Sequence, residues 1–289
     1  MIWLLLCIAS STLIFVVFKL FTKYNINNLQ AIVVNYFVAF TVGYLSSDFD
    51  FSIMDIGTKP WCTGSIVLGF LFITLFQLMA LVSQKFGVSA VSIAVKMSLV
   101  IPVIAAVIFY DEEMTWIKII GILCALAAVY FVTYKPEKVK GKIAYIFLPI
   151  ILFIGSGFLD ALINFIQAKS VPSGEHAYFA SSTFLAAGFF GILFISYQTL
   201  KRKVSFHWKN ILGGIALGIP NYGSIYFLLK ALEIDSLESS VIFPINNVGI
   251  VALSVIVGKL FFKEHLSKIN KAGIALALIA ILLIALKTS

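Results

Sequence analysis

Ten apolar stretches, each close to twenty residues long, follow one another along the chain with only short polar or charged connections between them. A run of about 20 apolar residues crosses about 30 Å of hydrocarbon at 1.5 Å per residue. Inside that layer a single segment satisfies its backbone hydrogen bonds only as a helix. The pattern therefore predicts an all-α integral membrane protein. The expected spans are Ile2 to Leu20, Leu29 to Ser46, Trp61 to Val82, Val88 to Phe109 and Ile117 to Tyr134, then Ile143 to Ala168, Ala177 to Gln198, Ile211 to Leu229, Ser239 to Val257 and Ile269 to Leu286. Composition agrees: 12% of residues are charged and mean hydropathy is +1.05, where a soluble domain carries about 25% charged residues. A water-soluble fold is excluded. The N-terminus is apolar from Ile2, with no basic leader and no cleavage site, so the first span is expected to be retained.

The formal charge of +8 does not indicate nucleic acid. The basic residues sit in short loops and form no basic helix or aromatic-interleaved patch, so anionic lipid headgroups are the expected counterpart. Cys7, Cys62 and Cys124 are isolated in sequence, with no CxxC spacing, and read as small packing residues. No metal or cofactor is expected.

The basic stretch Lys135, Lys138, Lys140 and Lys142 separates two sets of five spans, residues 1–137 and 138–289. The two sets resemble one another. Phe109, Tyr110, Asp111, Glu112, Ile117 and Gly121 match Phe261, Phe262, Lys263, Glu264, Ile269 and Gly273, each at an offset of 152 positions. Because each set holds an odd number of spans, the second enters the membrane in the opposite sense, and an inverted repeat follows.

On these features the chain resembles the drug/metabolite transporter superfamily, specifically its EamA-type members built from two such domains. Pro102 in span four, Glu112 after it and Gly121 opening span five carry the resemblance, repeated as Glu264 and Gly273. The ninth span departs from the pattern: the position equivalent to Pro102 is Ser254, and its proline, Pro244, lies earlier. The resemblance implies a central cavity lined by spans 1, 3, 4, 6, 8 and 9, alternating access, and substrates among amino acids, sugars, nucleotide derivatives or drugs.

Charged groups at mid-bilayer cost about 2.5–3.5 kcal/mol on insertion scales, so they are normally paired or face water. Lys96 shares a helical stripe with Ser89 and Ser92 in span four, and Asp160 shares one with Ser156, Asn164 and Gln167 in span six. Two readings stand. Lys96 and Asp160 form a cavity charge system that recognises a zwitterion or couples transport to protons, or they form a structural pair, with Lys96 snorkelling along its helix.

Gln77 in span three, Asn221 and Tyr222 after Pro220 in span eight, and Asn246 and Asn247 after Pro244 in span nine extend the candidate substrate cavity. At a local offset of 151, Asn247 aligns with Lys96. Pro102, Pro220 and Pro244 are candidate helix breaks or gating points, because proline frees a carbonyl one turn back. The alternative for the amides is interhelical hydrogen bonding. Tyr36, Tyr178, Tyr222 and Tyr226 are either an aromatic cavity wall or packing residues. Glu112, Gly121, Glu264 and Gly273 read as structural.

No HExxH or GxSxG motif occurs and the three histidines fall in loops, so an enzyme is not expected. The expected function is secondary transport of a small polar metabolite, amino-acid-like or related, by export or exchange. A passive channel or facilitator and a non-transporting membrane scaffold are the alternatives. Loops after odd-numbered spans hold fifteen Lys and Arg, and the other side holds five. The positive-inside rule thus puts both termini in the periplasm of an inner-membrane protein, against the cytoplasmic termini that the resemblance implies.

Overall fold

The computed structural model describes residues 2–46, 53–101, 104, 115–133, 147–172, 175–201, 207–232 and 239–285. Among them all regular structure is helical: α1 (Ile2–Lys23), α2 (Asn28–Ser46), a 3-10 turn (Ile53–Thr58), α3 (Cys62–Phe86), α4 (Val88–Met97), α5 (Trp116–Thr133), α6 (Leu148–Ser170), α7 (His176–Lys201), α8 (Trp208–Leu232), α9 (Ser239–Phe262) and α10 (Lys268–Ala285). Seven of these, α1 to α3 and α6 to α9, are long and apolar enough to cross a membrane. Large apolar side chains on them face outward, as Ile154, Phe158 and Phe165 do on α6, the arrangement expected where the surrounding solvent is lipid.

Helix ends follow local chemistry. Asn25 takes a left-handed backbone (φ 52°) after α1, a conformation asparagine tolerates, and the Ile26 amide closes on the Phe21 carbonyl at 2.9 Å. Two residues on, the Asn27 side chain accepts the Gln30 amide at 3.1 Å and starts α2. At α10, Ser267 Oγ accepts the Asn270 amide while Asn270 Oδ1 accepts the Ser267 amide, a reciprocal cap.

One expected span is corrected. The stretch from Val88 to Phe109 was expected as one span with Pro102 as a candidate break, and α4 ends at Met97 where the chain turns at Ser98 and Leu99 before helical geometry resumes at Val100. The physical cause lies in the sequence: a proline at position 102 has no amide to give the Ser98 carbonyl, so a regular helix cannot continue its hydrogen bonding there. The Ser98 carbonyl instead accepts the Ile101 amide in a tighter turn, at 2.9 Å. Pro102 itself and Glu112 lie outside the described residues.

The chain divides into two compact units, and each draws on both halves of the sequence. The first comprises Met1–Lys19, Leu78–Phe158 and Ser224–Ser289; the second comprises Leu20–Gln77 and Leu159–Gly223. In the first, α5 packs along α10 and α4 against α9, over a core that includes Ile93, Met97, Ala125, Ala128, Val251 and Ala277. Gly273 brings α10 to the backbone of α5, and Asn270 donates to the last carbonyls of α5, Phe131 at 2.9 Å and Val132 at 3.0 Å.

In the second unit, α2 packs against α7 and also against α8. A Cβ added at Gly214 or Gly218 of α8 would lie 2.4 Å or 2.7 Å from the Cβ of Val34 or Val38. This is a small-xxx-small seam, which lets helices in lipid approach closely enough for dispersion to hold them. Amides line the same seam: Asn221 donates to Asn35 at 3.1 Å, Asn210 donates to Gln30, and Asn210 Oδ1 accepts the Asn27 amide at 2.9 Å.

Candidate functional site

Within the first unit, four helices bring polar groups together around one thiol. Cys7 and Ser11 lie one turn apart on α1. Lys96 lies in the last turn of α4, with the buried Ser92 one turn earlier. Asn246 stands on α9 two residues after Pro244, where α9 remains helical. The Cys7 thiol donates to the Ser224 carbonyl of α8 at 3.2 Å. The Ser11 and Asn246 side chains are within hydrogen-bonding reach of the same sulfur, and the Lys96 ammonium is close enough to act on it electrostatically.

Cys7 and Asn246 are 1% and 4% exposed, so this is an interior polar cluster. It is incompletely satisfied. Asn246 Oδ1 is buried with no hydrogen-bond partner among the described residues, and so is Ser92 Oγ, one turn from Lys96 on α4. An unmet buried polar atom costs about 1–3 kcal/mol, and such atoms in native proteins are accounted for by an ordered water, a ligand or a functional role. The cluster thus offers an ammonium, an amide acceptor and a hydroxyl, a set that suits a small molecule with one anionic group and at least one N–H or O–H.

Asn247, which aligns with Lys96 at the sequence offset of 151, is partly buried on α9. Asp160 belongs to the second unit and is exposed. It shares a face of α6 with Ser156 and Gln167, about 140° around the helix from the outward apolar stripe of Ile154, Phe158 and Phe165. The position of Asn164 lies within α6. Gln77, on α3 in the second unit, is partly buried and its Nε2 has no partner among the described residues. Asn221 is engaged by Asn35, and Tyr222 is partly buried in the second unit. Pro220 sits inside α8 without ending it. Tyr36 is wholly buried in an aromatic cluster with Phe72, Phe76 and Phe184.

Glu264, which matches Glu112 at the offset of 152, has a definite task. Glu264, in the connection from α9 to α10, reaches the start of α4: its Oε1 accepts the Val88 amide at 2.6 Å and its Oε2 accepts the Ser89 hydroxyl at 3.0 Å. A carboxylate at a helix N-terminus satisfies orphan amides and meets the positive end of the helix dipole. Gly87, at φ 104°, leaves room for it. Gly121 and Gly273 are both buried, in α5 and α10.

Two sets of residues were missed by the sequence reading. Lys96, Ser92 and Asn246 stood out in their own helices, but Cys7 and Ser11 did not, because their partners come from distant parts of the chain. At the loops of the second unit, Lys59 pairs with Glu175 at 2.6 Å, and the Trp61 indole donates to the other carboxylate oxygen at 2.7 Å. These two hydrogen bonds, from Lys59 first and Trp61 second, hold the Glu175 carboxyl below the ordinary carboxylate range.

No family model matches the chain. It is 29% identical over 282 residues to an uncharacterized protein of Haemophilus influenzae, across 96% of this chain and 95% of that one.

Proposed function

We propose that this protein is a secondary transporter of the EamA type, with ten spans in two inverted five-helix repeats, residues 1–137 and 138–289. In this reading it moves a small polar metabolite carrying an anionic group across the inner membrane by alternating access. The incompletely satisfied polar cluster of Cys7, Ser11, Ser92, Lys96 and Asn246 carries the reading. Polar groups within apolar helices normally pair with one another or face a water-filled cavity, and Asn246 Oδ1 and Ser92 Oγ have no partner among the described residues. Helix pairing lends further support. The packed pairs α5 with α10, α4 with α9 and α2 with α7 each join a helix to its repeat counterpart, as a pseudo-two-fold axis would produce.

The turn after α4 and the proline within α9 lie on the two helices that hold Lys96 and Asn246. Local departures from helix at depth are tolerated where they line protein or a cavity. The test begins with a thermal-shift screen of purified protein against amino acids, organic acids, sugars and nucleotides, since a ligand of the folded state alone raises its melting temperature. Counterflow of the hit in proteoliposomes then separates a carrier from a passive facilitator. Lys96→Met and Asn246→Ala are expected to weaken the ligand-induced shift at least tenfold in apparent affinity. Wild-type affinity in both variants would overturn the assignment of this cluster as the substrate site.

A further inference from the structure

The connection from α9 to α10 borders an open hollow of about 450 Å³ with Lys259, His265 and Lys271 on its walls, Val255 and Ile274 as apolar lining, and Glu264 beside them. The three basic side chains are exposed. The one carboxylate is turned to the Val88 amide and the Ser89 hydroxyl, so its charge is engaged by the start of α4. Between positions 259 and 271 the chain carries four lysines against that single carboxylate. Leu260 and Phe261, in the last turn of α9, are 67% and 77% exposed. An apolar helix end beside a basic hollow is matched by a molecule with an anionic head and an apolar body. Lysine ammonium groups favour phosphate as compact point charges, and basic pockets beside membrane helices hold anionic headgroups.

We propose that this cavity binds a phosphate group held between Lys259 and Lys271, carried either by an anionic phospholipid headgroup or by a soluble phosphoester. The exposed Leu260 and Phe261 favour the lipid. Glu264 lines the cavity and caps α4 at once, so an occupant would touch the same residue that anchors the helix bearing Lys96.

The experiment follows thermal unfolding of the full chain in a neutral detergent. Short-chain phosphatidylglycerol, short-chain phosphatidylcholine, glycerol 3-phosphate and sodium chloride are compared at equal ionic strength. Phosphatidylglycerol is expected to raise the melting temperature by about 2–4 °C over chloride, and Lys259→Gln/Lys271→Gln should lose most of that rise. Lys209→Gln, outside the cavity, should keep it, as should Lys259→Arg/Lys271→Arg. An equal rise with glycerol 3-phosphate supports the site and assigns it to a soluble phosphoester; a rise with phosphatidylglycerol alone supports it and assigns it to lipid. An equal rise with phosphatidylcholine or chloride, a full response in the double Gln variant, or an equal loss in Lys209→Gln overturns the proposal.

Discussion

Glu264→Ala is the most informative single perturbation of the fold. The wild-type carboxylate makes two good charge-assisted bonds at the start of α4, to the Val88 amide at 2.6 Å and the Ser89 hydroxyl at 3.0 Å; a third approach, to the Ser89 amide, is long at 3.5 Å. Loss of a helix N-cap costs about 0.5–2 kcal/mol, and a hydrogen bond to a charged group is worth about 1.5–3 kcal/mol. Glu264 is only partly buried, so water will replace part of what is lost. We expect about 2 kcal/mol for Glu264→Ala. Glu264→Gln, which keeps one acceptor oxygen but not the charge, should cost about 1 kcal/mol.

Gly87 provides an internal control. Its backbone (φ 104°, ψ 170°) lies in a region essentially reserved for glycine, and an added Cβ would stand 2.4 Å from Glu264 Oε1. Gly87→Ala should therefore cost about 1–3 kcal/mol from backbone strain together with a clash that exists only while the glutamate is present. In Gly87→Ala/Glu264→Ala the clash disappears and the strain remains, so the double variant should be less unstable than the sum of the singles by about 1 kcal/mol. Denaturant unfolding in detergent measures the stabilities, and hydrogen exchange at Val88 and Ser89 reports the local opening. Unchanged stability and exchange in Glu264→Ala, or losses additive within about 0.5 kcal/mol, would refute the capping argument.

Three further outcomes follow from the same structure. Because the folded Glu175 carboxyl titrates below its ordinary value, the Lys59 and Trp61 contacts stabilise the protein above the unfolded carboxylate value, and this contribution fades as pH falls through the lower folded value; Glu175→Gln should flatten the acid limb of melting temperature against pH, and an unchanged limb would show the contact to be idle. Gly218→Val should cost about 1–3 kcal/mol by overpacking the seam of α2 and α8, since its Cβ would meet Val38 at 2.7 Å and the Asn35 carbonyl oxygen at 2.9 Å; a wild-type melting temperature would mean that the seam opens freely. A reporter fused after Ser289 should read as periplasmic under the fifteen-to-five Lys and Arg bias, and full cytoplasmic activity would reverse the orientation.

What was legible in the sequence is what depends on one segment at a time. A helix in lipid closes its backbone hydrogen bonds within about 20 residues, so the positions of α1 to α3 and α6 to α9 could be read from apolar run length. The stop after Met97 was legible too, since Pro102 removes the donor that the Ser98 carbonyl would need. Its consequence for the length of α4 is clear only once the turn at Ser98 and Leu99 is seen. The polar stripes pointed to Lys96 and Asn246, because a charge or an amide in an apolar helix stands out from its own neighbours.

Tertiary structure alone decided what those groups meet. Cys7 looked like a packing residue because its partners, Lys96, Ser224 and Asn246, are separated from it in sequence by far more than a helix length. Glu264 was visible as a repeat marker, yet its task lies at Val88 and Ser89, 176 and 175 positions away. Asn221 could have faced a ligand or another helix, and only the packing of α8 on α2 gave it Asn35. In lipid, apolar faces do not dictate which helices pair. Small residues, caps and amide bridges between remote segments make that choice, and no local period in the sequence records it.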